Sequence, residues 1–174
     1  MNLSKTFYFC FFILLCSLSY AQPGQPGTPK AQPTIKGNDL ANLLGNWEGT
    51  LTYIDYTSNK PYTMPANLIV EQGKNENEFK LQQIYPNEPK ANSKGKITIS
   101  KDGSQIDKAK ILSLEKNKDD SIEIVTQSKG KDDNKEAMIR LTYFLSSNTL
   151  TMKKEVRFEN SSVWIKRNEY SYSR

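Results

Sequence analysis

Leu43-Leu44-Gly45-Asn46-Trp47-Glu48-Gly49-Thr50-Leu51 is the stretch whose reading decides the fold. Ahead of it, Asn38 or Asp39 can cap a short helical turn running through Leu44, and Gly45 is the stop signal for that turn. A glycine here lets the backbone swing tightly into an extended segment. Trp47 then supplies one large apolar side chain at the start of the first strand, where it can plug an end of the core against water. From this point the chain reads as strands almost without interruption.

Working outward, the first strand covers about residues 47–56 and ends at Ser58-Asn59-Lys60-Pro61. The second, 62–72, puts Met64, Ala66, Leu68 and Val70 on one face, with Pro65 marking a bulge or sheet edge. The third, 78–85, aligns Phe79, Leu81, Gln83 and Tyr85. The fourth, 95–100, closes at Asp102-Gly103, a hairpin signal. In the fifth, 106–114, Ile111, Leu112 and Leu114 leave the facing open. A sixth strand at 121–127 precedes a polar stretch, 128–135, that reads as a mobile loop. The seventh, 137–145, aligns Ile139, Leu141, Tyr143 and Leu145. The eighth alternates most cleanly: Leu150, Met152, Val156 and Phe158 against Thr151, Lys153, Glu155 and Arg157. Asn160-Ser161 turns into a ninth, 163–172. Strands joined by short connections, with no long helix, favour an all-β antiparallel up-and-down barrel of about 8–10 strands, which removes exposed sheet edges.

Arg167 lies in the last of these strands. A glycine-x-tryptophan at Gly45 and Trp47, with an arginine on the final strand, resembles the two marks of lipocalin-like (calycin) barrels, the lipocalin and fatty-acid-binding group. The resemblance covers roughly residues 38–172 and includes the segment Trp164-Ile165-Lys166-Arg167-Asn168-Glu169-Tyr170 as a closing strand. It implies that Arg167 lies across the Trp47 ring and closes one end of the barrel, with spare donors reaching the carbonyls of Leu43 or Leu44. It also implies a broad task, holding something small in a cup. Motifs the family carries on its middle strands are not identifiable in this sequence, and no disulfide ties the tail to the barrel.

The flanks bear on compartment. Residues 1–21 have the layout of a secretory signal peptide: Lys5, an apolar run over 7–18, and Ser19-Tyr20-Ala21 before the cut. That run is shorter than the roughly 20 residues of a spanning helix. Secretion or a periplasmic location follows as the expectation. Both cysteines, Cys10 and Cys16, fall within this leader, so the mature chain has neither disulfide nor thiol nucleophile. Cys16 as a lipid-bearing residue is disfavoured by Leu15 before it. Residues 22–37 hold four of the eight prolines and three of the nine glycines and read as a flexible tether, leaving 38–174 as the barrel domain. Without the leader the balance is 23 Lys+Arg against 19 Asp+Glu, too mild and scattered for a nucleic-acid partner.

The chain has no histidine, which, with cysteine confined to the leader, removes the usual nucleophile–base pairs and nitrogen–sulfur metal or haem ligation. No catalytic residue, metal site or cofactor is expected, and the chain reads as a binder and not an enzyme. The informative side chains are polar ones on apolar strand faces: Tyr53, Gln83, Tyr85, Tyr143 and Lys154. Hydroxyls and one cation on an apolar wall suit a small, largely apolar or lipid-like ligand. The alternative is a surface-displayed adhesion, glycan- or protein-binding module with a filled barrel, using Tyr56, Phe144, Trp164 and Tyr170 on its outside.

Overall fold

Alternating apolar and polar residues build eleven strands among the residues described. The structure is a computed structural model describing residues 31–55 and 57–174; the leader read over 1–21 with its two cysteines, most of the tether, and Tyr56 lie outside them. A 3-10 turn, Gly37–Leu43, leads into β1 (Gly45–Ile54). Then come β2 (Pro61–Pro65), β3 (Asn67–Gln72), β4 (Glu78–Ile84), β5 (Ser93–Thr98), β6 (Gln105–Ile106), β7 (Ala109–Lys116), β8 (Ile122–Asp132), β9 (Lys135–Leu145), β10 (Thr149–Phe158) and β11 (Ile165–Ser173).

The ten-strand path runs β5-β4-β3-β1-β11-β10-β9-β8-β7-β6, with β2 paired to the second half of β1. Nearly every neighbour is a hairpin partner, and the first and last strands pair with each other, Glu48 opposite Ser173 and Tyr53 opposite Asn168. Across the remaining seam, the Ile99–Ile106 bridge and the bond from Asp107 N–H to Thr98 O (2.8 Å) join β5 to β6. The result is a nearly closed, all-β antiparallel barrel.

Two expected strands divide for stated reasons. The 62–72 segment breaks at Ala66, just after Pro65, whose missing N–H and fixed φ interrupt a ladder. The 106–114 segment folds back at Asp107-Lys108, both with positive φ (48° and 68°), which is the two-residue turn geometry of a tight hairpin. The expected mobile loop over 128–135 is instead strand. β8 and β9 stay paired out to Asp132 opposite Lys135, and Asp133-Asn134 turn the chain with φ of 50° and 59°.

The packed body also starts before Asn38. Ile35 is fully buried, and its N–H donates to Gly103 O at 3.0 Å. Gly103 has φ +74°, and a Cβ there would come within 2.4 Å of Ile35 O, so a glycine is what lets this segment lie down. The core gathers Leu40 and Leu43 from the 3-10 turn with Trp47, Leu68, Phe79, Ile111, Ile124, Leu150 and Tyr172 from the strands.

Trp47 closes the end at which β1 begins. It is buried, and its indole N–H donates to Leu43 O at 2.9 Å. The arginine above its ring is Arg174, not Arg167: the Arg174 guanidinium carbon is 4.2 Å from the ring centroid. Arg174 also donates to Leu44 O (2.6 Å), Asn42 O (3.0 Å) and Ser147 O (2.7 Å). The register explains the exchange. Trp47 lies level with the end of β11, while Arg167, seven residues back, stands about 23 Å away along the strand. Gly45, at φ +119°, makes the bend beneath the Arg174 head group.

Candidate functional site

The other end of the barrel carries polar chemistry. On β9, Leu141 and Tyr143 face inward; on β10, Met152 and Lys154; on β11, Asn168 and Tyr170. Together they line a cavity of about 170 Å³ with mostly apolar walls. Nearer the closed end, a void of about 20 Å³ lies among Leu40, Leu43, Ile97, Ile106, Ile124, Leu145 and Leu150. Tyr143 lines both spaces. Burial pushes its phenol well above the ordinary tyrosine range, and Asp107 adds to the rise, so it stays a neutral hydroxyl.

Lys154 reaches from the cavity wall to Asp132. Its ammonium donates to Asp132 Oδ1 at 2.9 Å, and Arg167 Nε donates to Oδ2 at 2.7 Å. The Asp132 side chain is 2% exposed. Burial by itself would raise its pKa; the hydrogen bonds and charges of Lys154 and Arg167 outweigh that and hold it below the usual carboxylate value. Arg167 gets there through a β-bulge. Lys154 pairs with Asn168 and Glu155 with Lys166, so Arg167 is the extra residue on β11.

The five side chains singled out in the sequence do not form one site. Tyr143 and Lys154 meet at the cavity. Gln83 and Tyr85 serve a neighbouring wall: Gln83 donates to Tyr172 Oη at 2.7 Å, and the Tyr85 and Tyr170 hydroxyls bond at 2.8 Å. The Tyr170 and Tyr172 rings stack at 5.7 Å. Tyr53 is elsewhere, tilted against Tyr62 at 5.5 Å. Asp132, Met152 and Asn168 were not foreseen. Asp132 lies in the polar stretch 128–135, whose composition reads as loop, and Met152 belongs to the apolar alternation of β10, which reads as core.

Larger hollows lie on the outside. One of about 260 Å³ is bounded by polar residues including Asn38, Asp39, Lys116 and Ser121, and one of about 330 Å³ runs along β3 to β5 by Lys80 and Lys94. Among the described residues no group of three or more histidine, cysteine, aspartate or glutamate side chains is placed to hold a metal ion. No helix in the described residues is long and apolar enough to cross a membrane.

No family model matches the sequence, and no curated protein matches it. Solved structures do. Rv2717c from M. tuberculosis is similar in fold, with a TM-score of 0.54 and 14% identity over 79% of this chain and 95% of that one. A protein of unknown function of the DUF3598 family from Nostoc punctiforme PCC 73102 gives a TM-score of 0.38 at 14% identity, over 85% of this chain and 52% of that one. The first of these likenesses supports the nearly closed antiparallel barrel and is a statement about fold alone.

Proposed function

We propose that this chain is a secreted or periplasmic, lipocalin-like binding protein that holds a small, largely apolar ligand at the open end of its barrel. The observation that carries the reading is the cavity of about 170 Å³ walled by Leu141, Tyr143, Met152 and Tyr170, with the Lys154 ammonium at its edge. Its size limits the ligand. An apolar cavity of about 150 Å³ takes a benzene-sized molecule, while typical drug-sized sites start near 300 Å³. A single ring or a short acyl chain is the scale that fits, with any acidic group directed toward Lys154. The same reading makes the chain a binder and not an enzyme, in keeping with the absence of histidine.

Native mass spectrometry of the protein purified from its own host tests this. The expected result is a retained small ligand, lost on Met152→Trp. If nothing is retained, and a panel of single-ring and short-chain acids shows no heat of binding, the reading fails.

The surface-module alternative has less behind it. Tyr170 faces inward to Tyr85, and the exposed Tyr62 stacks beside Tyr53 on β1 and β2, apart from Trp164. Among the described residues Phe144 and Trp164 stay on the outer face, Phe144 opposite Thr151 and Trp164 beneath Arg140, apart from each other.

A further inference from the structure

The outer face near the open end combines charge with apolar surface. Residues 129–140 and 153–169 carry nine Lys+Arg against six Asp+Glu, while the remaining residues from 31 onward carry thirteen of each. Lys154 and Arg167 turn inward to Asp132, which leaves seven Lys+Arg against five Asp+Glu on the outside of two stretches that pair in register, Met138 opposite Arg157 and Arg140 opposite Glu155. Across them lies Trp164, with the Arg140 guanidinium carbon 3.7 Å and that of Arg157 5.2 Å from its ring centroid. Its sequence neighbours are Val163, 63% exposed, and Ile165, 38% exposed, which stands opposite the inward Val156 and so lies at the rim on the inner side.

We propose that this face docks the protein on an anionic membrane surface. Val163, Trp164 and Ile165 enter the headgroup layer, and Arg140, Arg157 and Lys166 meet lipid phosphates. Three features select a bilayer over other occupants. An indole with guanidiniums on its face is amphipathic in the way interfacial residues are. Two exposed aliphatic side chains have no use against a glycan. The apolar patch is also a three-residue tip, far short of the roughly 800 Å² per partner that a stable protein interface needs. Arg140 and Lys166 also have half-buried acidic neighbours, Glu155 at 3.8 Å and Glu169 at 3.0 Å, while Arg157, over the Trp164 ring, adds a further cation to the same face. This proposal stands without the cavity reading, and it places the open end of the barrel toward the lipid.

The test is co-sedimentation of the protein, as purified from its host, with phosphatidylcholine vesicles and with vesicles containing about one-third phosphatidylglycerol. The expected result is partition onto the anionic vesicles alone, reversed by high salt. Val163→Asp should weaken it about fivefold and Arg157→Glu, a change of two charges, about thirtyfold, by the usual effect per charge at an anionic surface. Tryptophan emission should shift to the blue on the anionic vesicles, and Trp164→Phe should abolish the shift because Trp47 is buried. All forms share one N-terminus, so whatever residues 1–30 contribute cancels between them. Equal partition on neutral vesicles, undiminished binding by Val163→Asp, or a parent protein with neither sedimentation nor spectral shift overturns the proposal.

Discussion

Arg174 spreads its guanidinium over Trp47 while three carbonyls, those of Asn42, Leu44 and Ser147, take its N–H donors. One side chain thus ties the residue that follows β11 to the turn before β1 and to the β9–β10 connection. Arg174→Ala should cost about 1–3 kcal/mol, from a cation–π contact and several charge-assisted bonds in an exposed setting. Urea melts followed by Trp47 emission would read it, and a loss below about 0.5 kcal/mol would deny Arg174 this role. Asp132 makes the second residue-level argument. Its folded pKa is depressed, so its contribution is complete above the unfolded value of about 3.9 and disappears as pH falls through the folded value. Stability should therefore drop on acidification below about pH 4, and Asp132→Asn should flatten that part of the profile. At neutral pH the same substitution removes the carboxylate that Lys154 and Arg167 both bond and should cost about 2–4 kcal/mol. Chemical melts between about pH 2 and 7 check both, and an unchanged acid limb in the Asn variant would exclude Asp132 as its source.

At the scale of elements, the β8–β9 hairpin carries Asp132 to its place, and its turn is the lever. Asp133 and Asn134 are both left-handed, which asparagine and aspartate tolerate and β-branched residues resist. Asn134→Val should destabilise by about 1–2 kcal/mol, whereas Asn134→Gly should be neutral or slightly stabilising; comparing their thermal midpoints decides it. The hairpin also shows where sequence reading runs out. Ser128, Lys129, Gly130 and Lys131 lack strand preference, and pairing with Ile139, Met138, Ala137 and Glu136 overrides it. The partners of Asp132 stand 22 and 35 residues further on, so nothing local marks it as buried and paired. The β11 bulge defeats pattern reading in a different way. Simple alternation from Tyr172, Tyr170 and Asn168 would turn Arg167 outward; one extra residue brings it toward Asp132. The β10 alternation, by contrast, is legible in the sequence, because Leu150, Met152 and Val156 share one face in the strand as in the pattern, with Lys154 the polar member of that face.

For the whole molecule, closure by the first and last strands separates two ends with different tasks. The Trp47 end is latched by backbone-directed bonds, and the Lys154 end keeps an apolar cavity beside a charged cluster. The glycine-x-tryptophan made the closed end readable from sequence, although β-strand register, which no single residue encodes, decided which arginine serves it. Cavity volume was not readable, because it depends on how far side chains from three strands reach. Tyr143 is the side chain that lines both the cavity of about 170 Å³ and the deeper void of about 20 Å³. Tyr143→Ala should join them, costing about 3–5 kcal/mol in stability while admitting a two-ring ligand that the parent refuses. Met152→Trp should do the opposite, filling the cavity with a stability change of no more than about 2 kcal/mol and losing single-ring binding. Calorimetric titration of all three forms with a one-ring and a two-ring acid checks the pair of outcomes. If ligand size preference stays the same across the three, the barrel interior is not where the ligand lies.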